Sequence, residues 1–142
     1  MNRPVAVVTG ANRGIGLEVC RQLADNGCLV VLGSRDLEKG RRAAAGLGDP
    51  NVTPCRLDVS DDESVSTAAS WITERYGRCD ALVNNAAILY DTGARADRAD
   101  LAVIHTAMET NLFGAWRTTH ALLTMLRAAP HDRIVNVSSG GG

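Results

Sequence analysis

The segment that most constrains the fold is residues 5–16, which read Val-Ala-Val-Val-Thr-Gly-Ala-Asn-Arg-Gly-Ile-Gly. Its first four residues are apolar and mostly β-branched, which is typical of a parallel strand buried on both faces. After the glycine turn, Ile15, Val19 and Leu23 recur at four-residue intervals, which predicts an amphipathic helix. Gly27 is expected to end this helix as a C-cap. A strand, a glycine turn and a helix in this order expose backbone N–H groups that can bind a phosphate.

Three glycines in this turn, at positions 10, 14 and 16, have different expected roles. Gly10 permits the turn, Gly14 permits close approach of a pyrophosphate, and Gly16 allows the helix to pack onto the sheet. Their spacing differs from the G-x-G-x-x-G fingerprint. Because many strand–helix turns contain glycine for geometry alone, the segment by itself leaves phosphate binding and a purely structural turn as equal alternatives.

The rest of the chain alternates apolar strand-like runs with segments of helical periodicity. Further strands are predicted at residues 28–32, 52–59, 80–83 and 133–137. Further helices are predicted at residues 37–47, from the Ser60 capping box to Tyr76, and over 101–129, with a surface loop at 90–100. This alternation implies right-handed crossovers and a parallel sheet covered on both faces. The predicted fold is one doubly wound α/β domain over residues 1–142, with strand order 3-2-1-4-5.

Composition argues against several function classes. The 142-residue chain has a net charge of -1, which disfavours binding to nucleic acid or to an anionic membrane surface. No run approaches the roughly 18 apolar residues that a membrane span needs. The first strand begins so near the N-terminus that no signal peptide is expected. The four cysteines are far apart and form no C-x-x-C pair, so we expect reduced thiols in a cytoplasmic protein without a metal site.

Polar residues follow every predicted strand, at the sheet edge where ligands bind in open α/β folds. Residues 9–16 follow the first strand, and Ser34-Arg35 follows the second. The third, fourth and fifth strands are followed by Asp58-Val59, Asn84-Asn85-Ala86 and Ser138-Ser139. This regularity exceeds what turn chemistry requires, so we expect the functional residues to gather along this edge.

These motifs resemble those of the short-chain dehydrogenase/reductase family and occur in the family's order. The matching residues are Thr9-Gly10-x-x-x-Gly14-Ile15-Gly16, Asp58, Asn84-Asn85-Ala86, Asn111 and Val135-Asn136-Val137-Ser138-Ser139. The glycine turn and first helix are most similar to carbonyl-reductase-type members, and Ala87 stands where the family usually has glycine. The resemblance implies a Rossmann-like fold. It also implies an oxidoreductase that transfers hydride between a nicotinamide cofactor and a small carbonyl or alcohol substrate.

The resemblance further implies a role for each matching residue. The cofactor-binding set would be Thr9, Gly10, Asn12, Arg13, Gly14, Ile15, Gly16, Arg35, Asp58, Val59, Asn84, Asn85 and Ala86. Within it, Asp58 and Val59 would contact the adenine, and the backbone of residues 84–86 would flank the cofactor ribose. Ser139 would hydrogen-bond the substrate carbonyl, and Asn111 would hold a water that links the catalytic lysine to solvent. Structural alternatives stay open, because Asp58 and Ser139 are also typical turn residues.

The end of the second strand predicts NADP(H), with NAD(H) as the alternative. In dinucleotide-binding folds, an acidic residue about 20 positions after the glycine turn binds the 2′-hydroxyl of NAD. Here the strand ends in Gly33-Ser34-Arg35, and Arg13 lies in the glycine turn. Two guanidiniums at this place can clamp a 2′-phosphate. Asp36 is the competing residue that would favour NAD(H).

The family's proton donor, a tyrosine followed four residues later by a lysine, is missing from this sequence. Asp80 lies four residues after Tyr76, Ala94 lies four residues after Tyr90, and Lys39 is the only lysine. The sequence is therefore interpreted as the amino-terminal portion of a longer reductase, which alone does not turn over substrate. The alternative is a non-catalytic nucleotide-binding or regulatory module. The Asn-Asn-Ala and Ser-Ser motifs together disfavour an S-adenosylmethionine-dependent methyltransferase.

In such a portion, the fifth strand would be an open sheet edge, and one face of the 101–129 helix would lack cover. This helix carries apolar residues near helical spacing, namely Leu101, Ile104, Met108, Leu112, Ala115, Leu122 and Leu126. Because exposed strand edges and apolar patches promote association, we expect self-association through this helix.

Overall fold

The computed structural model describes residues 3–88 and 95–139 and contains one five-stranded parallel sheet flanked by helices. The strands are β1 (Val5–Val8), β2 (Leu29–Ser34), β3 (Val52–Arg56), β4 (Ala81–Asn84) and β5 (Arg133–Asn136). The helices are α1 (Gly14–Asp25), α2 (Leu37–Leu47), α3 (Asp62–Tyr76), α4 (Leu101–Met108) and α5 (Gly114–Ala128). A π-helical turn, Glu109–Phe113, joins α4 to α5, and a 3₁₀ turn, Ala96–Arg98, precedes α4. Tyr90 and the first half of the predicted 90–100 loop lie outside the described residues.

The strand order is β3-β2-β1-β4-β5, and every neighbouring pair is parallel, which confirms the predicted doubly wound α/β fold. β1 is the central strand, since it pairs with β2 on one side and with β4 on the other. All four of its residues are buried. β3 ends at Arg56, three residues before the predicted boundary. It also contains Pro54, which an edge strand tolerates because half of its N–H groups have no ladder partner.

Two apolar layers cover the two faces of the sheet. One layer joins α1 and α2 to the sheet and includes Cys20 and Ala44. The other joins α3 and α5 to the opposite face and includes Leu126. Successive residues of β1 belong to different layers, Val7 to the second and Val8 to the first, as side chains that alternate across a strand require.

Aspartates cap the starts of α2, α3 and α4. The side chains of Asp36, Asp61 and Asp100 accept backbone N–H groups there, which the first turn of a helix otherwise leaves free. The predicted cap at Ser60 is therefore wrong by one residue. Ser60 instead donates its N–H and its hydroxyl to Asp58 Oδ1, at 3.0 and 2.7 Å.

The predicted helix over 101–129 contains a π-helical turn that the apolar spacing did not indicate. Its buried side comprises Ala107, Gly114, Thr118, Leu122 and Leu126. Its other side exposes the apolar side chains of Leu101, Met108, Leu112, Phe113 and Trp116. In the described part of the chain, β5 pairs only with β4.

The four cysteines are free thiols, and Cys20, Cys55 and Cys79 are buried. Burial raises the pKa of the Cys20 and Cys79 thiols to about 12 and that of Cys55 to about 11. Within residues 3–88 and 95–139, no helix is long and apolar enough to cross a membrane. Over the same residues, no group of three or more His, Cys, Asp or Glu side chains is placed to hold a metal ion.

Candidate functional site

Backbone hydrogen bonds hold the carboxyl ends of neighbouring strands together. The Ala11 N–H, in the turn after β1, donates to the carbonyl of Gly33 in β2 at 2.8 Å. The Val137 N–H, just after β5, donates to the carbonyl of Asn84 in β4 at 3.0 Å. These bonds fix the segments that follow the strands, so the predicted site residues lie along one edge of the sheet.

The start of α1 is open. Its N-cap residue, Arg13, makes no side-chain cap hydrogen bond, and its first turn contains no acidic residue. By contrast, α2 and α3 have both an aspartate cap and an acidic first turn. A Cβ built at Gly14 would meet no atom within 4 Å, so the space beside this residue is open. Free N–H groups and the positive end of the helix dipole favour an anion at the start of this helix.

The apolar side of α1 is displaced from the predicted one. Its buried residues are Gly16, Cys20 and Ala24, whereas Val19 and Leu23 are only partly buried. Ile15, which the periodicity placed on the apolar face, is 65% exposed beside the opening. The displacement arises because the helix packs against the sheet through its small residues Cys20 and Ala24.

The glycines of the turn have three different environments. Gly10 and Gly14 adopt φ of 57° and 59°, in the left-handed region that favours glycine. A Cβ at Gly10 would lie 2.7 Å from the Cα of Ala86, so the turn packs directly on the segment after β4. A Cβ at Gly16 would lie 2.5 Å from Asn85 Nδ2 and 2.8 Å from the carbonyl of Gly10. Gly16 therefore packs against this segment and the turn itself, where the sequence predicted contact with the sheet.

Thr9 holds the segment after β4 in place. Its Oγ1 accepts the N–H groups of Asn85 and Ala86 at 3.0 and 2.9 Å and donates to the carbonyl of Val83 at 3.4 Å. In return, Asn85 Nδ2 donates to the carbonyls of Thr9 and Gly10 at 3.2 and 3.0 Å. Thr9 is 1% exposed. Its side chain therefore positions the segment after β4, and the cofactor contact of Thr9 stays a prediction.

Asn84 joins β4 to its neighbours instead of opening toward the site. Its Nδ2 donates to Thr119 Oγ1 at 3.1 Å and to Asn136 Oδ1 at 3.0 Å. Its Oδ1 is buried and has no hydrogen-bond partner in the described part of the chain. Ala87, at the family's glycine position, is exposed and has a negative φ, so this position does not require glycine for its backbone conformation.

Asp58 and Val59 lie after β3 and differ in what they can offer a ligand. The Asp58 N–H donates to Ser64 Oγ at 2.9 Å, and its Oδ1 accepts from Ser60, as a turn residue would. Its Oδ2 lies outside these bonds. Val59 is 3% exposed and packs in the apolar core, so its backbone is the part that can meet an adenine.

The residues proposed to choose between cofactors lie at the ends of β1 and β2. Arg13 and Arg35 are exposed, and over residues 3–88 and 95–139 neither forms an ion pair. Asp36, the competing acid, already accepts the N–H groups of Glu38 and Lys39 at 3.0 and 3.2 Å as the cap of α2. Both bonds end on Oδ1, and the Oδ2 of Asp36 lies outside them.

Asn111 lies in the π turn and binds the backbone of Ile88. Its Oδ1 accepts the Ile88 N–H at 2.9 Å, and its Nδ2 donates to the Ile88 carbonyl at 3.1 Å. The side chain thus holds the segment after β4, and the water-holding role inferred from the resemblance stays a prediction. The contact between Asn111 and the backbone of Ile88 was not predicted from the sequence. The available signal was the asparagine itself, which is unfavourable at a helical position. Ser139 is exposed three residues beyond β5, at the same edge of the sheet.

The geometry agrees with comparisons to known proteins. A family model described as short chain dehydrogenase matches residues 4–142. The (+)-neomenthol dehydrogenase of Arabidopsis thaliana is 39% identical over 159 residues, covering 96% of this chain and 54% of that protein. Carbonyl reductase (NADPH) 1 of Mus musculus is 35% identical over 144 residues, covering 97% of this chain and 50% of that protein. The solved structure of a metagenomic short-chain oxidoreductase in complex with NADP has a TM-score of 0.87 at 33% identity. The match covers 96% of this chain and 62% of that chain.

The chain spans about half the length of the curated relatives it matches. The match nevertheless includes all five strands and every predicted site residue, since it runs from residue 4 to residue 142. The sheet order and the glycine turn before an uncapped helix agree with it. The chain belongs to the short-chain dehydrogenase family.

Proposed function

We propose that the protein is an NADP(H)-dependent oxidoreductase that transfers hydride between nicotinamide and a carbonyl or alcohol carbon of a small molecule. The observation that carries the proposal is the open start of α1, with its uncapped N–H groups and the open space beside Gly14. The family membership and the similarity to a dehydrogenase and a carbonyl reductase support it. The bound nicotinamide would supply the hydride chemistry, and the protein supplies position and electrostatics.

Each part of the edge has a proposed place in cofactor binding. The backbone of residues 12–16 binds the pyrophosphate at the start of α1. The backbone of residues 84–86, which Thr9 fixes, flanks the ribose next to the nicotinamide. Asp58 and the backbone of Val59 receive the adenine, and Ser139 hydrogen-bonds the substrate carbonyl.

The preference for NADP(H) rests on charge. Arg35 directly follows β2, and Arg13 is the N-cap residue of α1; both are exposed cations at the edge of the sheet where the adenine ribose is expected. Guanidiniums bind phosphate oxygens through paired, charge-assisted hydrogen bonds. Asp36, the competing acid, uses its Oδ1 as the cap of α2, and its Oδ2 lies outside these bonds.

Titration of NADPH and NADH against Arg35→Ala tests this preference. Hydrogen bonds to charged groups contribute about 1.5–3 kcal/mol, so NADPH should bind about 10- to 100-fold more weakly. The affinity for NADH should not change. Arg42→Ala, an exposed arginine of α2, is the matched control and should leave both affinities unchanged. Equal losses for NADPH and NADH would contradict a 2′-phosphate contact.

We also propose that the chain as printed binds the cofactor without turnover. Neither tyrosine is followed four residues later by lysine, so the proton donor of the family is missing from these 142 residues. NADPH should bind, yet its absorbance should stay constant with any carbonyl substrate. Steady NADPH oxidation that Ser139→Ala abolishes would refute this point.

Two further proposals concern the surroundings of the protein. The exposed apolar side chains of the 101–129 segment support self-association through this face. The four free thiols support a reducing compartment, which we propose is the cytoplasm.

A further inference from the structure

The loop between β3 and α3, residues 57–61, carries both proposed adenine contacts and is held by a side chain from α5. Arg117 Nη1 donates to the carbonyl oxygen of Val59 at 2.6 Å. Nε of the same guanidinium donates to the carboxylate of Asp62, and Nη2 lies 3.3 Å from a carboxylate oxygen of Glu109. The Arg117 side chain is only 20% exposed. A charged donor, fixed by two carboxylates, therefore holds the backbone of this loop.

The side chain of Val59 is held from the same helix. Gly114 begins α5, and a Cβ built there would lie 2.6 Å from Val59 Cγ2. No larger residue fits at this position unless Val59 moves, because separations of this size do not occur between carbon atoms in contact. Helix α5 thus contacts Val59 at two points, the carbonyl through Arg117 and the side chain through Gly114.

The guanidinium also connects the two ends of the site. Glu109, one of its acceptors, opens the π turn. The same turn contains Asn111, which holds the backbone of Ile88 after β4. Arg117 therefore links the 57–61 loop, at the proposed adenine end, to the turn that supports the opposite end.

We propose that Arg117 is a positioning residue for the adenine end of the cofactor site. By fixing the carbonyl of Val59, it keeps the 57–61 loop in the conformation that receives the adenine before the cofactor arrives. Binding to a preformed loop avoids the free-energy cost of ordering it. This role rests on the proposed function, because it assumes that Asp58 and Val59 meet the adenine. Arg117 lies outside the sequence motifs and acts on the site through the backbone of Val59.

Two substitutions at position 117 test the role. Arg117→Met keeps most of the side-chain volume and removes all donors, whereas Arg117→Lys keeps the charge but not the planar fork. The matched control is Arg127→Met, an exposed arginine on the same helix. The ligands are NADPH, 2′,5′-ADP for the adenine half, and reduced nicotinamide mononucleotide for the other half. Hydrogen exchange of the 57–61 amides without ligand measures the order of the loop directly.

The proposal expects a selective effect. For Arg117→Met, the Kd for NADPH and for 2′,5′-ADP should rise about tenfold, which corresponds to 1.4 kcal/mol. The Kd for the nicotinamide half should stay constant, and the 57–61 amides should exchange faster. Arg117→Lys should fall between this variant and the wild type, and Arg127→Met should match the wild type. If the methionine variant does not fold, the lysine variant decides, and its affinity for 2′,5′-ADP must fall.

Three results would overturn the proposal. Equal weakening of both half-ligands would show a general loss of structure, and unchanged 2′,5′-ADP binding would show that Arg117 is irrelevant to the adenine end. Unchanged exchange of the 57–61 amides would show that Arg117 does not order the loop. Failure of the wild type itself to bind NADPH or 2′,5′-ADP would refute the proposed function and, with it, this role; the wild-type titration alone identifies that case.

Discussion

The contact between the glycine turn and the segment after β4 leads to a sharp prediction for Gly16→Ala. The new methyl would lie 2.5 Å from Asn85 Nδ2, 2.8 Å from the carbonyl of Gly10 and 2.9 Å from the Cα of Ala11. Two of these three neighbours are backbone atoms, so Asn85 is the group that can move. Moving it breaks its two hydrogen bonds to the carbonyls of Thr9 and Gly10.

The expected loss of stability follows from these contacts. Overpacking costs about 1–3 kcal/mol, and each lost hydrogen bond adds about 1 kcal/mol. Alanine regains about 1 kcal/mol as the better helix former, which leaves a net loss of about 2–4 kcal/mol. Gly14→Ala is the control two residues away, because its methyl meets no atom within 4 Å and only its positive φ costs about 1–2 kcal/mol.

Urea unfolding, followed by the fluorescence of the partly buried Trp71, measures both variants. With a slope of about 1.5 kcal/mol per molar urea, Gly16→Ala should lower the midpoint by about 1.3–2.7 M, and Gly14→Ala by about 0.7–1.3 M. The reasoning would be refuted if Gly16→Ala lost no more stability than Gly14→Ala. It would also be refuted if Asn85→Ala, which removes the displaced side chain, failed to relieve part of the loss in the double variant.

Two further predictions concern pH and association. The hydrogen bond from Arg78 lowers the pKa of the nearly buried Asp80, with a further bond from the Val5 N–H acting in the same direction. The stability that Asp80 contributes is therefore fully present above its ordinary pKa and is lost as the pH falls through the lowered pKa. Asp80→Asn should be less stable than the wild type at pH 7, and the two acid-unfolding curves should converge at low pH; a constant gap would contradict this. Trp116→Arg, at a position that is 71% exposed, should weaken any dimer about tenfold in sedimentation, whereas an unchanged dimer constant would exclude this face.

Local sequence signals were sufficient for most of the fold. The β-branched run at 5–8 predicted a central strand because a strand buried on both faces needs uninterrupted apolar residues. Alternation of strands and helices then predicted the parallel order, since right-handed crossovers leave few arrangements. The edge position of β3 is compatible with Pro54, because a residue without N–H is tolerated there.

Other features could not be predicted because they depend on contacts between distant segments. The π turn at 109–113 has no apolar signature of its own; it coincides with the bond between Asn111 and the backbone of Ile88, 23 residues away. The capping-box spacing of Ser60 and Glu63 predicts the cap of α3 at Ser60, one residue before the observed cap. Asp58, by accepting the Ser60 hydroxyl, leaves Asp61 as the cap.

Some polar residues of the motifs hold the backbone of the site in place, and others are exposed to a ligand. The sequence motif alone does not distinguish these two groups. Three of these side chains form hydrogen bonds to the backbone or to neighbouring side chains, namely those of Thr9, Asn84 and Asn111. What they fix is the backbone of the turn and of the segment after β4, which lies beside the open start of α1. Substituting a side chain does not change a backbone N–H group itself. The position of such a group therefore depends on side chains, such as these, that hold the surrounding backbone. Arg117 extends this arrangement to the 57–61 loop, where the supported group is again a backbone carbonyl.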